Sequence, residues 1–232
     1  DKSISEDQSS ATDTCTYTEA EISRITHLAF KSARSRKKKV TLVDKANVLE
    51  TSRLWRRVVR SISESYPDVE LDCLFIDNAA VQMILNPSQF DVILTDNMFG
   101  DILSDQGSVI AGSIGLLPSA SVGLEHAMFE PIHGSYPDAK GKNIANPVAS
   151  ILSMAMLLQH FKMNEESDAV VAAVLKSFSK KIVTPDILGS SKYGTNYVGD
   201  FINIFITCCW TVKASMNFSH CSFFVNKYGG WI

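Results

Sequence analysis

The sequence lacks the features of a disulfide-stapled, zinc-binding or membrane-spanning protein. Its 232 residues include five cysteines, an odd number without C-x-x-C spacing, which argues against a disulfide framework and a zinc site. No apolar run reaches the length of about 18 residues expected of a membrane helix. The acidic, Ser/Thr-rich N-terminus is unlike a signal or transit peptide. We therefore expect a cytoplasmic protein without a membrane partner, and a plastid protein only if a transit peptide precedes residue 1.

An excess of charge and a dinucleotide fingerprint are also missing. The chain has 22 Lys and Arg against 25 Asp and Glu, a net charge of −3, which gives no electrostatic reason to expect nucleic acid as a partner. The basic run from Arg34 to Lys39 closes a predicted helix, where cations complement the helix dipole and face water. No G-x-G-x-x-G is present, so a nucleotide site here would not be of the Rossmann type.

Strand-like and helical segments alternate along the chain, which predicts an α/β fold with a mixed or parallel sheet flanked by helices. Residues 1–16 are polar and without periodicity, and are predicted to form a loop. Thr18 and Glu21 match a capping box that starts a helix. The remaining predicted segments are strands at 40–43, 69–76, 90–95 and within 119–129, and helices at 54–62, 77–85, 148–161 and 165–180.

Two aspartates, Asp101 and Asp105, lie four positions apart in a further predicted helix. That spacing puts both on one helix face, where like charges repel unless a cation lies between them. Asp77 follows another strand, and since parallel strands end at a common edge, the three carboxylates can converge there. Mg²⁺ or Mn²⁺ prefers such oxygen ligands. Capping of the helix by Asp101, beside Gly100, is an equally good alternative on the residues alone.

Two more segments carry polar groups at predicted chain turns. Lys45 lies just past a buried strand, and a lysine near a metal can act as a base or proton relay, although an ordinary surface lysine is the simpler explanation. In the segment 133–147, Gly134 permits close approach of a ligand, Asp138 can accept a hydrogen bond from a ribose hydroxyl, and the following helix N-terminus can hold phosphate. A plain turn-rich connection is the alternative.

Taken together, these motifs resemble the β-decarboxylating dehydrogenases, the family of isopropylmalate and isocitrate dehydrogenases. The resemblance covers about residues 1–202 and implies that family's two-lobed α/β fold, present in part. The run Asp44-Lys45-Ala46-Asn47-Val48-Leu49-Glu50 favours the isopropylmalate branch. The other matching runs are 97–105, 115–120 and 133–147.

The resemblance implies a role for each matching residue. Asp77, Asp101 and Asp105 correspond to ligands of Mg²⁺ or Mn²⁺, and Lys45 to a catalytic lysine; Asp77 and Lys45 are lent across a homodimer. Asn47 and Val48, with Lys45, correspond to substrate-binding residues. The residues that correspond to the NAD-binding loop are His133, Gly134, Ser135, Tyr136, Asp138 and Asn146. The carboxylate of Asp138 implies NAD rather than NADP, because it would repel a 2′-phosphate.

The implied reaction is oxidation of 3-isopropylmalate, a small 2-hydroxy acid, by NAD, followed by decarboxylation to 4-methyl-2-oxopentanoate in leucine biosynthesis. The implied lobes are a dimer-forming lobe with the metal site at 17–111, part of the NAD-binding lobe at 112–200, and a divergent tail at 201–232. The family's substrate-binding arginines and catalytic tyrosine have no counterpart in the sequence, so we expect no turnover by this chain alone. The alternatives are malate, tartrate or homoisocitrate as substrate, or a non-catalytic fragment or regulatory subunit.

Overall fold

The computed structural model describes residues 2–123 and 125–215, with side chains described up to Thr207. The predicted tail therefore lies outside the described residues from residue 216 onward. The strands are β1 (Lys2–Ile4), β2 (Ala11–Asp13), β3 (Lys39–Asp44), β4 (Glu70–Phe75), β5 (Val92–Thr95), β6 (Pro118–Val122) and β7 (Ala127–Pro131). The helices are α1 (Glu19–Arg34), α2 (Glu50–Ser63), α3 (Ile76–Leu85), α4 (Asn97–Ala111), α5 (Val148–His160), α6 (Asn164–Ser179) and α7 (Thr195–Ser215).

The chain divides into two compact units, one up to Gly107 and one from Ser108 onward. The first unit is built on a parallel three-stranded sheet of order β4-β3-β5. Successive residues of the central strand β3 pack in different hydrophobic clusters. Leu42 packs in a cluster with residues of α1 and α2 such as Phe30 and Trp55, whereas Val43 packs with Met83 of α3 and Leu103 of α4. A parallel sheet buried on both faces by helices confirms the predicted α/β fold.

Polar contacts fix the ends of two elements in this unit. The capping box of α1 is formed, since the Glu21 amide donates to Thr18 Oγ1 at 3.3 Å and the Thr18 amide donates to Glu21 Oε2 at 2.8 Å. The sequence predicts that the basic run from Arg34 to Lys39 faces water, but Arg36 in this run is bound to a buried carboxylate. Arg36 Nε donates at 2.8 Å to the buried carboxylate of Asp91, which also accepts from the amide of Lys37 at 3.0 Å. This carboxylate ties the start of β3 to the start of β5.

The prediction that residues 1–16 form a loop is wrong for part of this segment, because β1 and β2 pair as an antiparallel hairpin. The turn is closed by polar groups: Ser5 and Ser9 hydroxyls both donate to Asp7 Oδ1, at 2.6 and 2.8 Å. Gln8 takes the left-handed conformation, with φ 58°. Both strands are exposed on every residue, so no alternation of apolar residues was there to reveal them.

The second unit contains three helices and a small antiparallel sheet that packs against α5. Strands β6 and β7 pair in register from Pro118 with Pro131 to Val122 with Ala127. Its core is formed by residues of α5, α6 and α7, namely Val148, Leu152, Ala173, Val174, Val198 and Ile202. The predicted tail boundary at residue 201 therefore falls inside a core helix. Among the helices described, none has the length and apolarity needed to cross a membrane.

Candidate active site

Lys45 and Asp77 come together at the C-terminal edge of the sheet. Lys45 follows β3 and Asp77 follows β4, and these neighbouring strands are parallel with Asp44 opposite Phe75. Lys45 Nζ lies 2.5 Å from Asp77 Oδ1. The hydrogen bond from Lys45 holds the pKa of Asp77 below its ordinary value. The edge thus presents an ammonium group already paired with a carboxylate that is largely exposed.

Asp77 does not cap α3. Helix α3 begins one residue earlier, its N-cap is Phe75, and no side chain caps it. Asp77 lies in the first turn, where a carboxylate also complements the helix dipole. Its side chain is therefore committed to Lys45 and not to a backbone amide of the cap.

A buried ion pair that sequence reasoning missed holds the Lys45 segment. The Asp44 side chain is 2% exposed and accepts two hydrogen bonds from Arg56, at 2.8 Å from Nε and 2.7 Å from Nη2. Asp44 Oδ1 also accepts from the Ala46 amide at 2.9 Å, while the Lys45 amide donates to Ser52 Oγ at 3.1 Å. The available signal was Asp44 itself, since a carboxylate ending a buried strand requires a cation.

Arg56 contacts the two chain segments that carry Lys45 and Asp77. Its hydrogen bonds to Asp44 raise the pKa of Arg56 above its ordinary value. Its guanidinium carbon lies 5.1 Å from the ring centroid of Phe75, the N-cap residue of α3. Arg56 therefore links the segment that carries Lys45 to the segment that carries Asp77.

The two predicted substrate-binding neighbours of Lys45 lie in the turn between β3 and α2. The Val48 amide donates to the Lys45 carbonyl at 2.9 Å, which closes the turn around Asn47. The Val48 side chain is 63% exposed. Asn47 and Val48 thus stand beside Lys45 at the same edge of the sheet, on the open surface of the chain.

Asp101 and Asp105 do not cap α4. The cap is Asp96, which accepts from the Phe99 amide at 3.0 Å through Oδ1 and from the Gly100 amide at 2.9 Å through its carbonyl. Asp101 and Asp105 lie in the second and third turns, and both are exposed. Asp101 Oδ2 lies 3.4 Å from Asn97 Nδ2. The capping alternative for Asp101 therefore loses its basis.

The three predicted carboxylates do not converge within one chain. Among the residues that the structure describes, no group of three or more His, Cys, Asp or Glu side chains is arranged to hold a metal ion. The sheet order explains the separation, because β3 lies between the strands that precede Asp77 and Asp101. Two strand spacings amount to roughly 10 Å. A single copy thus holds Lys45 with Asp77 at one place and the pair Asp101 and Asp105 at another.

Both places border exposed apolar residues of α3 and α4. Asp77 shares its helix face with Val81 and Ile84, which are 51% and 66% exposed. Asp105 shares its face with Met98 and Ile102, which are 59% and 54% exposed. Apolar side chains so exposed on adjacent carboxylate-bearing helices are typical of a surface that another protein covers.

The predicted cofactor loop lies in the second unit. His133, Gly134, Ser135, Tyr136 and Asp138 precede or enter a short 3₁₀ turn, Pro137–Ala139, and all except His133 are exposed. His133 Nδ1 lies 2.9 Å from the Gly134 carbonyl oxygen. The loop therefore presents its polar groups outward, as a ligand-binding loop must.

Asn146 anchors the end of this loop. Its Nδ2 donates to Asp186 Oδ2 at 2.9 Å, and its Oδ1 accepts from the Val148 amide at 3.0 Å. Burial raises the pKa of Asp186, but neighbouring polar groups, among them the hydrogen-bond donors Ser113 and Asn146, outweigh it and leave the pKa below its ordinary value. Asn146 is therefore engaged within the chain on both sides of its amide.

A tight contact sets the middle of the loop. Asn143 takes a left-handed conformation with φ 55°, accepting from the Thr195 amide at 3.1 Å through its carbonyl and from the Asn196 amide at 2.8 Å through Oδ1. A Cβ on Gly194 would lie 2.4 Å from the Asn143 carbonyl oxygen. Only glycine fits at position 194, and this close packing joins the loop to the start of α7.

Comparison with known proteins assigns the class. Residues 1–202 match the family described as isocitrate/isopropylmalate dehydrogenase. The chain therefore belongs to that family of decarboxylating dehydrogenases. Among solved structures, the isocitrate dehydrogenase of Methylococcus capsulatus superposes with a TM-score of 0.84 at 38% identity, covering 88% of this chain and 61% of that one. A β-decarboxylating dehydrogenase of Thermococcus kodakarensis gives a TM-score of 0.80 at 36% identity, covering 93% and 63%.

The similar curated proteins carry a more specific name than the family, 3-isopropylmalate dehydrogenase. The 3-isopropylmalate dehydrogenase of Aquifex aeolicus is 52% identical over 195 residues, which is 83% of this chain and 54% of that protein. The 3-isopropylmalate dehydrogenase of Bacteroides fragilis is 51% identical over 199 residues, 85% of this chain and 56% of that protein. The chain thus spans about half the length of the curated relatives that it matches.

Proposed function

We propose that the whole protein oxidises 3-isopropylmalate with NAD and decarboxylates the product to 4-methyl-2-oxopentanoate, a step in leucine biosynthesis. The relatives named above support the substrate. The observation that carries the proposal is the division of the predicted site into two parts, Lys45 with Asp77 and Asp101 with Asp105, each beside an exposed apolar helix face. We propose that two copies pair through α3 and α4, so that each site combines one part from each chain.

The donor set fits a divalent metal ion on this arrangement. Asp101 and Asp105 of one chain, with Asp77 of a second copy, would supply three carboxylates to Mg²⁺ or Mn²⁺, which favour oxygen ligands completed by water and substrate. When bound, the ion acts as a Lewis acid toward substrate oxygens. Lys45 of the second copy, acting as the neutral amine, would take up the proton of the substrate hydroxyl at Nζ, and Asp77 would orient that group by accepting its hydrogen bond.

The electrons and atoms of the proposed reaction balance without another reactant. The hydride leaves the carbon that bears the hydroxyl and passes to NAD, and the hydroxyl proton passes to Lys45. The carboxylate β to the new carbonyl then leaves as CO₂, and the carbon that carried it takes up a proton, which balances the proton passed to Lys45. The loop 133–147 would hold NAD, with Asp138 accepting from the ribose hydroxyls and disfavouring a 2′-phosphate.

A chimera tests the function. We would join the part of the Aquifex aeolicus protein that lies outside the matched region to residues 1–232 of this chain. We expect the chimera to form NADH from 3-isopropylmalate, measured by absorbance, because it would hold both parts of the site. Faster NADH formation from malate, tartrate or homoisocitrate would replace the substrate assignment, and an inactive but folded chimera would contradict the proposal.

The metal site is tested by binding alone. In the chimera, Asp101→Asn with Asp105→Asn should weaken Mn²⁺ binding, followed by electron paramagnetic resonance, by more than the roughly 100-fold that loss of a supporting hydrogen bond costs a metal site. The matched control is Glu64→Gln with Asp168→Asn, which removes one exposed glutamate and one exposed aspartate elsewhere and should bind Mn²⁺ normally. Equal affinity in both double variants would show that the pair Asp101 and Asp105 is not a ligand set.

A further inference from the structure

Four arginines form one face of α2, which we call the arginine face: Arg53, Arg56, Arg57 and Arg60. Their spacing of three, four and seven positions places them in a row on one side of the helix, about 10 Å long at 1.5 Å per residue. Together with Ala46 they line an open depression of about 480 Å³. Apart from Arg56, which holds the Lys45 segment, neither the proposed reaction nor the proposed pairing of two copies uses this face.

Two of the four guanidinium charges are already neutralised. Arg56 is bound by the buried carboxylate of Asp44. Arg53 pairs with Glu50, and its Nε donates to the Ala46 carbonyl at 2.9 Å. These two arginines are held in place and shape the walls of the depression.

The other two charges are not neutralised. In the part of the chain that the structure describes, neither Arg57 nor Arg60 forms an ion pair with a carboxylate. Arg60 interacts with the Cys73 thiol, which carries no compensating charge because burial raises its pKa. Both arginines are exposed. The depression therefore keeps two free positive charges that lie next to each other, three positions apart on the helix.

We propose that the arginine face binds a small molecule that carries a diphosphate group. A guanidinium binds one phosphoryl group through two parallel hydrogen bonds, so the neighbouring groups of Arg57 and Arg60 suit two linked phosphoryl groups. The volume of the depression lies within the range of about 300–1,000 Å³ for small-molecule sites. A nucleic acid fits less well, because the row spans only about two helical turns and the chain as a whole is negative.

Binding of inorganic pyrophosphate and of ADP to the 232-residue chain, measured by calorimetry, tests the proposal. We expect both to bind, AMP to bind at least about tenfold more weakly, and affinity to fall with added salt. Arg57→Gln with Arg60→Gln should weaken pyrophosphate binding by at least about tenfold, since each change removes a charge-assisted pair. The matched control is Arg24→Gln with Lys31→Gln, which lowers the net charge equally on α1 and should stay within about twofold of the parent chain.

Four results would overturn the proposal. Absence of pyrophosphate binding by the parent chain is the first. Equal weakening in both double variants would indicate a general charge effect, and unchanged binding in the Arg57 and Arg60 variant would move the site elsewhere, for example to the loop 133–147. Binding of an oligonucleotide that is tighter than that of pyrophosphate, and lost in the same variant, would assign the face to nucleic acid. Circular dichroism of each variant shows whether the chain remains folded.

Discussion

We expect two inactive variants of the chimera to regain activity when they are mixed. Lys45→Met removes the proposed proton acceptor and should lower turnover by roughly 100-fold or more, the usual contribution of a positioned acid or base. Asp101→Asn with Asp105→Asn should abolish turnover by removing two proposed metal ligands. If the site is shared, a mixed dimer has one site with every defect and one site with none. Random exchange of subunits then restores about a quarter of the parent activity, as a two-fold symmetric pair requires.

The mixing experiment separates a shared site from a site within one chain. Within one chain, each subunit of a mixed dimer would still carry its own defect, and mixing would restore nothing. The control mixes Lys45→Met with Asp77→Asn, which lie in the same part of the proposed site. That pair should stay inactive, because every site in the mixed dimer then carries one defect. Recovery in the control, or none in the test pair, contradicts the shared arrangement.

Replacing Arg56 by methionine should lower the free energy of unfolding by about 3–5 kcal/mol, the range found when one partner of a buried ion pair is removed. Asp44, whose side chain is 2% exposed, would be left without its cation. Arg56 also lies against Phe75, so its loss opens the contact between the Lys45 segment and α3. Urea denaturation of the 232-residue chain measures the change.

Two companion variants identify the cause. Arg57→Met removes an exposed arginine of the same helix and should change the free energy of unfolding by less than about 0.5 kcal/mol, as for surface changes generally. Asp44→Leu combined with Arg56→Met removes both charges and should recover much of the loss, since apolar pairs often replace buried ion pairs at little cost. If the double variant is as unstable as Arg56→Met, packing of the arginine and not charge accounts for the loss.

The elements that bury apolar residues at a regular spacing could be predicted from the sequence. The capping box of Thr18 and Glu21 and the runs around Val40 and Trp55 gave α1, β3 and α2, because burial and periodicity coincide there. The hairpin β1–β2 could not be recognised, since its strands bury nothing and its turn depends on Asp7. The start of α7 was also missed. The predicted boundary of the tail separated Val198 from Ile202, although both are buried.

Chemistry near the strand ends was predictable only in part. Parallel strands carry Lys45 and Asp77 to one edge, and the structure brings these two together as a shared edge requires. The spacing of Asp101 and Asp105 placed them on one helix face, but only the structure identified Asp96 as the cap. The pair of Asp44 with Arg56 joins a strand end to a helix, and no local pattern specifies which of several cations meets a buried carboxylate. The roles of the site residues remain predictions.

The carboxylate of Asp91 has a consequence for the order in which the chain folds. It binds Arg36, which lies 55 positions earlier in the chain. The contact that holds β5 to the central strand can therefore form only after the intervening β4 and α3 have been synthesised and brought into place. Closing a segment of that length costs entropy before any contact repays it, and such non-local pairing slows folding. We expect β3 and β4 to pair early and the docking of β5 to complete the sheet. The helix with Asp101 and Asp105 follows β5 directly, so this half of the proposed metal site would be the last of the first unit to reach its position.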